Sequence, residues 1–454
     1  MALPWPHAPR KPLALSSKAA ESPSSHASRQ SRAKTAKTKT EKEETALSSN
    51  ANLTVRKLLG DAPPCEVPCS FAIDHEQQTV FFNTYDENTK ASEIYACNPQ
   101  TRTWKNITKT IRHLPHPLGS PERAEQLPPR YGGSMAFYKI KSTGQRVLLL
   151  FGGQVNGLKT DDDGPDGPGE VSNEMLAIDV DNLKWWVIDI AGGRVSPRVQ
   201  ARMLVVDDSL FVFGGQTYDG DVRLAANESY CIASYNNYAW TWDVRDEPYP
   251  AHTPALGYCC DAVALSIQDE DDSSESPDSD TDTNNKILLT IGCTDNGEES
   301  LNLTPTSFVL FDIVSRTFTL LGQQTIAANT NTSETGTFPG GVTWYGIFAL
   351  PPQSSGNVKT KTKIKNENEL GEKNHSSTSN AAIICTFHAN ATKQPELYIY
   401  TPGQCRTLGV RKRIAATKKT FEMFFVVGDK MYMLGWTADR WDLVAEVPRQ
   451  WVSL

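Results

Sequence analysis

The chain has 454 residues, 39% hydrophobic and 22% charged, enough for one large domain or two to three ordinary ones. A net charge of −8 argues against general nucleic-acid affinity, which rests on neutralising phosphates with Lys and Arg. Mean hydropathy is −0.43 and no apolar run approaches the roughly 20 residues of a membrane-spanning helix, so an integral membrane protein is not expected.

Residues 1–51 differ from the rest. They are rich in Ser, Ala, Thr and Lys, with almost nothing aromatic after Trp5, and cannot bury enough apolar area to offset chain entropy. A disordered tail is expected. Its basic cluster (Arg29, Arg32, Lys34, Lys37, Lys39, Lys42) reads either as a solvated linker or as a nuclear-import or anionic-surface signal. The apolar core of a signal peptide is missing, and early prolines spoil a mitochondrial presequence.

From residue 52 to 454 short apolar runs of strand length alternate with turn residues. Three polar insertions interrupt them, at about 155–172, 267–285 and 352–380. The second is strongly acidic and the third Lys- and Asn-rich. None has an apolar face, and all are expected to be disordered surface loops.

The runs recur in a fixed order. SFAID (70–74) is followed by TVFFNTYD (79–86) and a turn leading to Trp104. GSMAFYKI (133–140) precedes VLLLFGGQ (147–154) and a turn before Trp185; ARMLVVDD (201–208) precedes SLFVFGGQ (209–216) and a turn before Trp240. CDAVALSI (260–267) and KILLTIGC (286–293) lead to Phe318, and GVTWYGIFAL (341–350) and AAIICTFH (381–388) lead to Thr407, where the aromatic is missing. FEMFFVVGD (421–429) and KMYMLGW (430–436) open a sixth unit. Before each turn apolar residues alternate, as in Leu176 and Ile178 or Cys231 and Ala233, which reads as a strand with one buried face. Two glycine pairs, Gly152 with Gly153 and Gly214 with Gly215, end strands where positive φ or close backbone approach is required. Trp104, Trp185 and Trp240 are expected to pack between units.

Four antiparallel strands, a di-glycine and a downstream Trp resemble the kelch motif, whose period is roughly 50 residues. The resemblance runs from about residue 52 to the end and is most specific at 130–185 and 198–240. It implies an all-β fold, a six-bladed kelch-type β-propeller like that of the galactose oxidases, because four-stranded units close radially to bury their faces. Two closures are open. Either LTVRKLLGDAPP (53–64) supplies the outer strand of the sixth blade, or QWVSL (450–454) does.

No catalytic constellation stands out. The eight histidines and nine scattered cysteines offer no CxxC pair and no ligand pair for copper, so neither a metal nor another cofactor is expected. Pro115 and Pro117 forbid a helix that would bring His113 and His116 together. Asn-x-Ser/Thr triplets are present, as at Asn106 and Asn227, but a reduced, intracellular protein, cytoplasmic or nuclear, is expected from the cysteine usage. The resemblance implies a non-catalytic scaffold binding a protein or peptide on one face, with an enzyme acting on a small molecule at the channel mouth as the alternative. Candidate mouth residues are Arg130, Tyr131, Arg198, Arg202, Tyr258 and Trp344. Arginine suits bidentate carboxylate recognition; equally, the pairs Pro129-Arg130 and Pro197-Arg198 are read as packing elements of the repeat.

Overall fold

The structure, a computed structural model, describes residues 54–447 outside 64–69, 87–90, 115–125, 156–169, 220–222, 227, 237, 252, 254–255, 257–260, 268–283, 291–307, 322–341, 350–381, 389–395, 402–403, 409–420, 429 and 438–439. Apart from a single 3-10 turn at Thr108–Thr110, these residues form strands and turns, and among them no helix is long and apolar enough to cross a membrane.

The strands assemble into sheets in sequence order. The first sheet holds Ser70–Asp74, Thr79–Asp86, Ala91–Asn98 and Thr103–Asn106; the second holds Ser134–Lys139, Arg146–Phe151, Met175–Asp179 and Lys184–Ile188. The third holds Arg202–Val206, Ser209–Phe213, Ser229–Asn236 and Ala239–Pro248; the fourth holds Ala262–Ile267, Asn284–Thr290, Phe308–Asp312 and Thr317–Leu320. Next come Val342–Ala349, Ala382–His388, Glu396–Thr401 and Gln404–Leu408, for which strand order and register are described without the side chains. The last sheet is Phe421–Val427, Lys430–Thr437, Arg440–Val447 and Val55–Lys57. Each is an antiparallel meander, and the first strands of consecutive sheets lie side by side. The architecture is all-β and propeller-like.

The N-terminal strand closes the arrangement. Val55–Lys57 pairs antiparallel with the last sheet, opposite Leu443, Val444 and Ala445. Leu58 is buried, and Leu59–Gly60 then runs parallel to Thr103 and Trp104 on the outer edge of the first sheet. The alternative strand, 450–454, lies outside the described residues. Similar edge cover recurs after the first and second sheets. Arg112–His113 lies parallel to Lys184 and Trp185, and Ala191 bridges to Thr241. Each segment leaving one sheet thus caps an edge of the next, satisfying otherwise unpaired backbone groups.

The strand alternation has a different meaning from the one expected. All five residues of Met175–Asp179 are buried, so both faces are covered rather than one. Leu176 and Ile178 pack towards the first sheet, in a cluster with Ala72, Phe81 and Ile94. Met175 and Ala177 pack towards the third, with Met203, Leu210 and Val212. A blade between two neighbours has no solvent face, and successive side chains simply choose opposite partners. Trp185 is 1% exposed and belongs to the interface with the first sheet. Trp240 fills the interface between second and third sheets, and Trp104 is buried against Phe82. Trp242, not singled out from the sequence, is buried beside Trp240 and meets Phe151 edge-on.

The insertions fall in two kinds of connection. Residues 268–283 and 350–381 join first to second strands, whereas 156–169 join second to third. In an antiparallel meander those two kinds of connection leave from opposite ends. The insertions themselves lie outside the described residues.

Candidate functional site

The end where second strands hand over to third strands, and where each sheet passes to the next, collects most of the singled-out residues. Its geometry begins with the glycines. Gly152 has φ +68, and a Cβ there would lie 2.3 Å from the Arg198 carbonyl oxygen. Gly153 donates its N–H to that same oxygen at 2.7 Å. Only glycine permits both the left-handed backbone and the approach. The Arg198 N–H in turn donates to the Ser172 carbonyl at 3.2 Å. The second sheet therefore grips the Pro-Arg backbone that enters the third.

The second glycine of each pair has a separate task. Gly153 and Gly215 have φ +85 and +93, and each is crowded by the loop that opens its own sheet. A Cβ on Gly153 would lie 2.9 Å from the Gly133 nitrogen. One on Gly215 would lie 2.8 Å from the Val199 carbonyl oxygen and 2.9 Å from the Ala201 Cβ. Positive φ extends to Gly214, at +57, so the di-glycine of the third sheet adopts the backbone expected of it. What the sequence did not separate is the direction of contact. Gly152 faces the following sheet, whereas Gly153 and Gly215 face the entry to their own.

The first sheet has no glycine pair and reaches the same result with side chains. Asn83 Nδ2 donates to the Arg130 carbonyl at 3.2 Å, and Ser92 Oγ accepts the Arg130 N–H at 2.8 Å. The residue after each Pro-Arg also pairs with the glutamine after each di-glycine. Tyr131 exchanges backbone hydrogen bonds with Gln154 (3.1 and 2.8 Å), and Val199 does so with Gln216 (2.9 and 2.8 Å).

Arg130 and Arg198 do not line a channel mouth as expected; each is 1% exposed. Arg198 donates from Nη1 to the carbonyls of Gly214 (3.1 Å) and Ser229 (2.9 Å) and from Nη2 to Ser229 Oγ (2.9 Å). Its Nη2 also lies 2.5 Å from Asp246 Oδ1. Asp246 Oδ2 accepts from the Ser196 N–H (2.8 Å) and hydroxyl (3.0 Å). Burial alone would raise the Asp246 carboxyl, but Arg198 and Ser196 outweigh it and hold it below the usual range. Arg130 is held similarly, with Nη2 2.6 Å from Glu174 Oε2. A planar fork with five donors suits such a junction. These arginines anchor a sheet to the loop that its predecessor grips, which is the packing alternative left open by the sequence.

Arg202 is placed differently. The first residues of the first strands are stitched to the next sheet: Ser70 Oγ donates to the Gly133 carbonyl at 2.7 Å, and Ser134 Oγ to the Ala201 carbonyl at 2.6 Å. Arg202 follows in the third sheet, with Nη2 3.3 Å from the Ala262 carbonyl oxygen. Its Nε is 2.9 Å from the buried Asp261 carboxylate. Its Cζ lies 5.2 Å from the centroid of the Phe71 ring, within cation–π range. Phe71 and Arg202 lie on the first and third sheets, and Asp261 immediately precedes the first strand of the fourth. A paired cation and an aromatic ring therefore meet at this end of the sheets. Tyr131 packs edge-on against Tyr85 at 4.8 Å.

Tyr258 lies outside the described residues. Trp344 sits on Val342–Ala349 opposite Phe387, and its side chain is not among those described. One element was missed altogether. Gln216–Asp219 and Arg223–Ala226 form a two-stranded hairpin growing from the second-to-third connection of the third sheet. The Asp219-Gly220 pair was the legible signal, since Asp-Gly favours the tight turns of hairpins.

Among the described residues no group of three His, Cys, Asp or Glu stands close enough to hold a metal ion. Cys97 and Cys231 are free and buried; burial pushes the Cys231 thiol up to about 11, so it is no nucleophile at neutral pH. The polar groups at this end orient backbone and pair with one another. A scan of the chain against protein-family models finds no match, nor does a search of the curated proteins.

Proposed function

We propose that the chain is a six-bladed kelch-type propeller acting as a non-catalytic scaffold, and that it binds a protein or peptide on the end carrying the di-glycine turns. The six sets of four strands support the blade count. The recurrence of Pro-Arg, di-glycine and buried Trp in matching roles supports the kelch reading.

The difference between the two ends carries the choice of face. At the opposite end, described turns are short and tied across the sheets, as by Lys139 to Glu76 (2.6 Å) and Lys141 to Asp208 (3.0 Å). The di-glycine end bears the hairpin at 216–226 and the Arg202–Asp261–Phe71 group. Loops and hairpins carried on a rigid scaffold are where recognition residues concentrate.

The test is selection of peptides from a random display library on the full chain, followed by affinity measurements with single variants. Tyr131→Ala and Arg202→Gln should each weaken the selected peptides about tenfold, the scale of one lost contact of about 1.4 kcal/mol. Lys139→Gln, at the other end, should leave affinity unchanged. Peptides indifferent to both di-glycine-end variants would overturn the reading.

A further inference from the structure

At the end opposite the di-glycine turns, neighbouring sheets are tied by polar contacts of different kinds. First and second sheets are joined by Lys139–Glu76 (2.6 Å) and Arg146–Asp74 (2.6 Å). Second and third are joined by Tyr138 Oη donating to Asp208 (2.9 Å) and by Lys141–Asp208 (3.0 Å). Third and fourth are joined by Asn285 Nδ2 donating to Asp207 at 3.3 Å. None of these ties uses an imidazole. The seam between last and first sheets is tied by a histidine: the Gly428 N–H donates to His75 Nδ1 at 3.3 Å. Both residues sit in turns joining first to second strands. Gly428 has φ +59, and a Cβ there would lie 3.5 Å from Gln78 Nε2 and 3.8 Å from the His75 carbonyl oxygen.

This seam differs from the others in a second respect. The chain crosses it through the short clasp at 55–60, whose partner strands lie far apart in sequence. We propose that His75 makes this closing seam acid-sensitive: protonation of its Nδ1 removes the acceptor for the Gly428 N–H and loosens the ring where its two ends meet. An imidazole that accepts at Nδ1 must be neutral with its proton on Nε2.

The surroundings agree with the geometry. Desolvation lowers the His75 value from its ordinary one, and the neighbouring Asp74 carboxylate opposes that. Asp74 is a weakened opponent, because Arg146 Nη1 and the N–H groups of Glu76 and Gln77 already occupy it. The other charged groups of the two turns are Glu76, paired with Lys139, and Lys430, paired with Glu446 at 3.2 Å; Asp429 lies outside the described residues. His75 itself keeps an exposed surface, so the effect is modest and local. With the folded value below the unfolded one, the unfolded or opened chain binds the proton first. The contribution is complete above the unfolded value of about 6.5 and declines as pH falls towards the folded value.

The experiment is hydrogen–deuterium exchange of the full chain at pH 7.5 and 5.5, corrected for intrinsic exchange rates, on wild type and His75→Gln. Glutamine retains an uncharged acceptor at both pH values. Opening at the seam, read at Gly428 and at Val55–Lys57, should rise about threefold or more on acidification in wild type, and not in His75→Gln. Exchange of Leu210 and Val212, in the interface of second and third sheets, should respond equally in both proteins. Equal acid responses at the seam would overturn the proposal. Nitrogen-15 NMR of the imidazole provides a second check independent of the variant's folding. Nε2–H as the neutral tautomer with a midpoint below about 6.5 supports it; Nδ1–H, or a higher midpoint, overturns it.

Discussion

Replacing Arg198 by methionine tests whether the Pro-Arg pair is an anchor. The guanidinium is fully buried and serves two backbone carbonyls, a serine hydroxyl and Asp246. Methionine fills much of the volume but leaves the Gly214 and Ser229 carbonyls without this donor, and Asp246 without its cation. Removing one partner of a buried pair costs about 3–5 kcal/mol. The Asp246 side chain keeps 31% exposure, so the lower part of that range is expected. Equilibrium urea unfolding at neutral pH would measure it. Adding Asp246→Asn to Arg198→Met should recover about 1–3 kcal/mol, because it removes the stranded charge. The pH dependence has a definite sign. Asp246 is held below the usual carboxylate range in the folded protein, so its contribution is complete above the unfolded value of about 3.9 and is lost as pH falls through the folded value. The gap between wild type and Arg198→Met should therefore narrow in acid. A loss under about 1 kcal/mol at neutral pH, or a gap that stays constant in acid, would refute the anchoring role.

Other consequences are equally accessible. Gly152→Ala should cost more than the roughly 1–2 kcal/mol of a left-handed backbone, since its Cβ meets the Arg198 oxygen, whereas Gly144→Ala, at φ +70 with nothing within 4 Å, should cost only that much; equal losses in urea unfolding would contradict the close approach. Trp185→Ala should cost about 3–5 kcal/mol by the same assay, and a neutral result would undo the assignment of the repeated aromatic to the blade interface. Removing residues 1–45 should leave the melting temperature unchanged, whereas removing 1–60 should lower it, because the second truncation takes away Val55–Lys57 and the buried Leu58. Cys97 and Cys231, both 0% exposed, should react with iodoacetamide only on unfolding; rapid labelling of either in the native protein would show that its interface opens.

Much of the architecture was legible because it rests on local chemistry repeated along the chain. Strand-length apolar runs, di-glycines and an aromatic after most of the tight turns are short-range signals; Trp185 and Trp240 are buried between sheets, and Gly152 and Gly153 adopt positive φ. The buried partners of Arg198 were not legible. Asp246 lies 48 residues away, at a positive φ of 46 and close to a register irregularity in its strand pair, which no local pattern announces. Asn83 standing in for a di-glycine was hidden for a related reason. A side-chain amide and a backbone N–H satisfy the same carbonyl, so the function persists while the residue pattern disappears.

The sequence by itself determined most of the strands and their order within each unit, because hydrophobic period and turn chemistry act over a few residues. Only the tertiary structure decided which face of a strand meets which neighbour, which side chains turn inward and which reach another sheet. Arg130 and Arg198 follow proline and Arg202 follows alanine, but the chain does not show what surrounds each guanidinium. Two are buried where the preceding sheet holds their backbone; the third reaches Asp261 at the entry to the adjoining sheet and the Phe71 ring of the first. Such a difference arises from the meeting of sheets remote in sequence, where burial and long-range pairing set the electrostatics of a side chain.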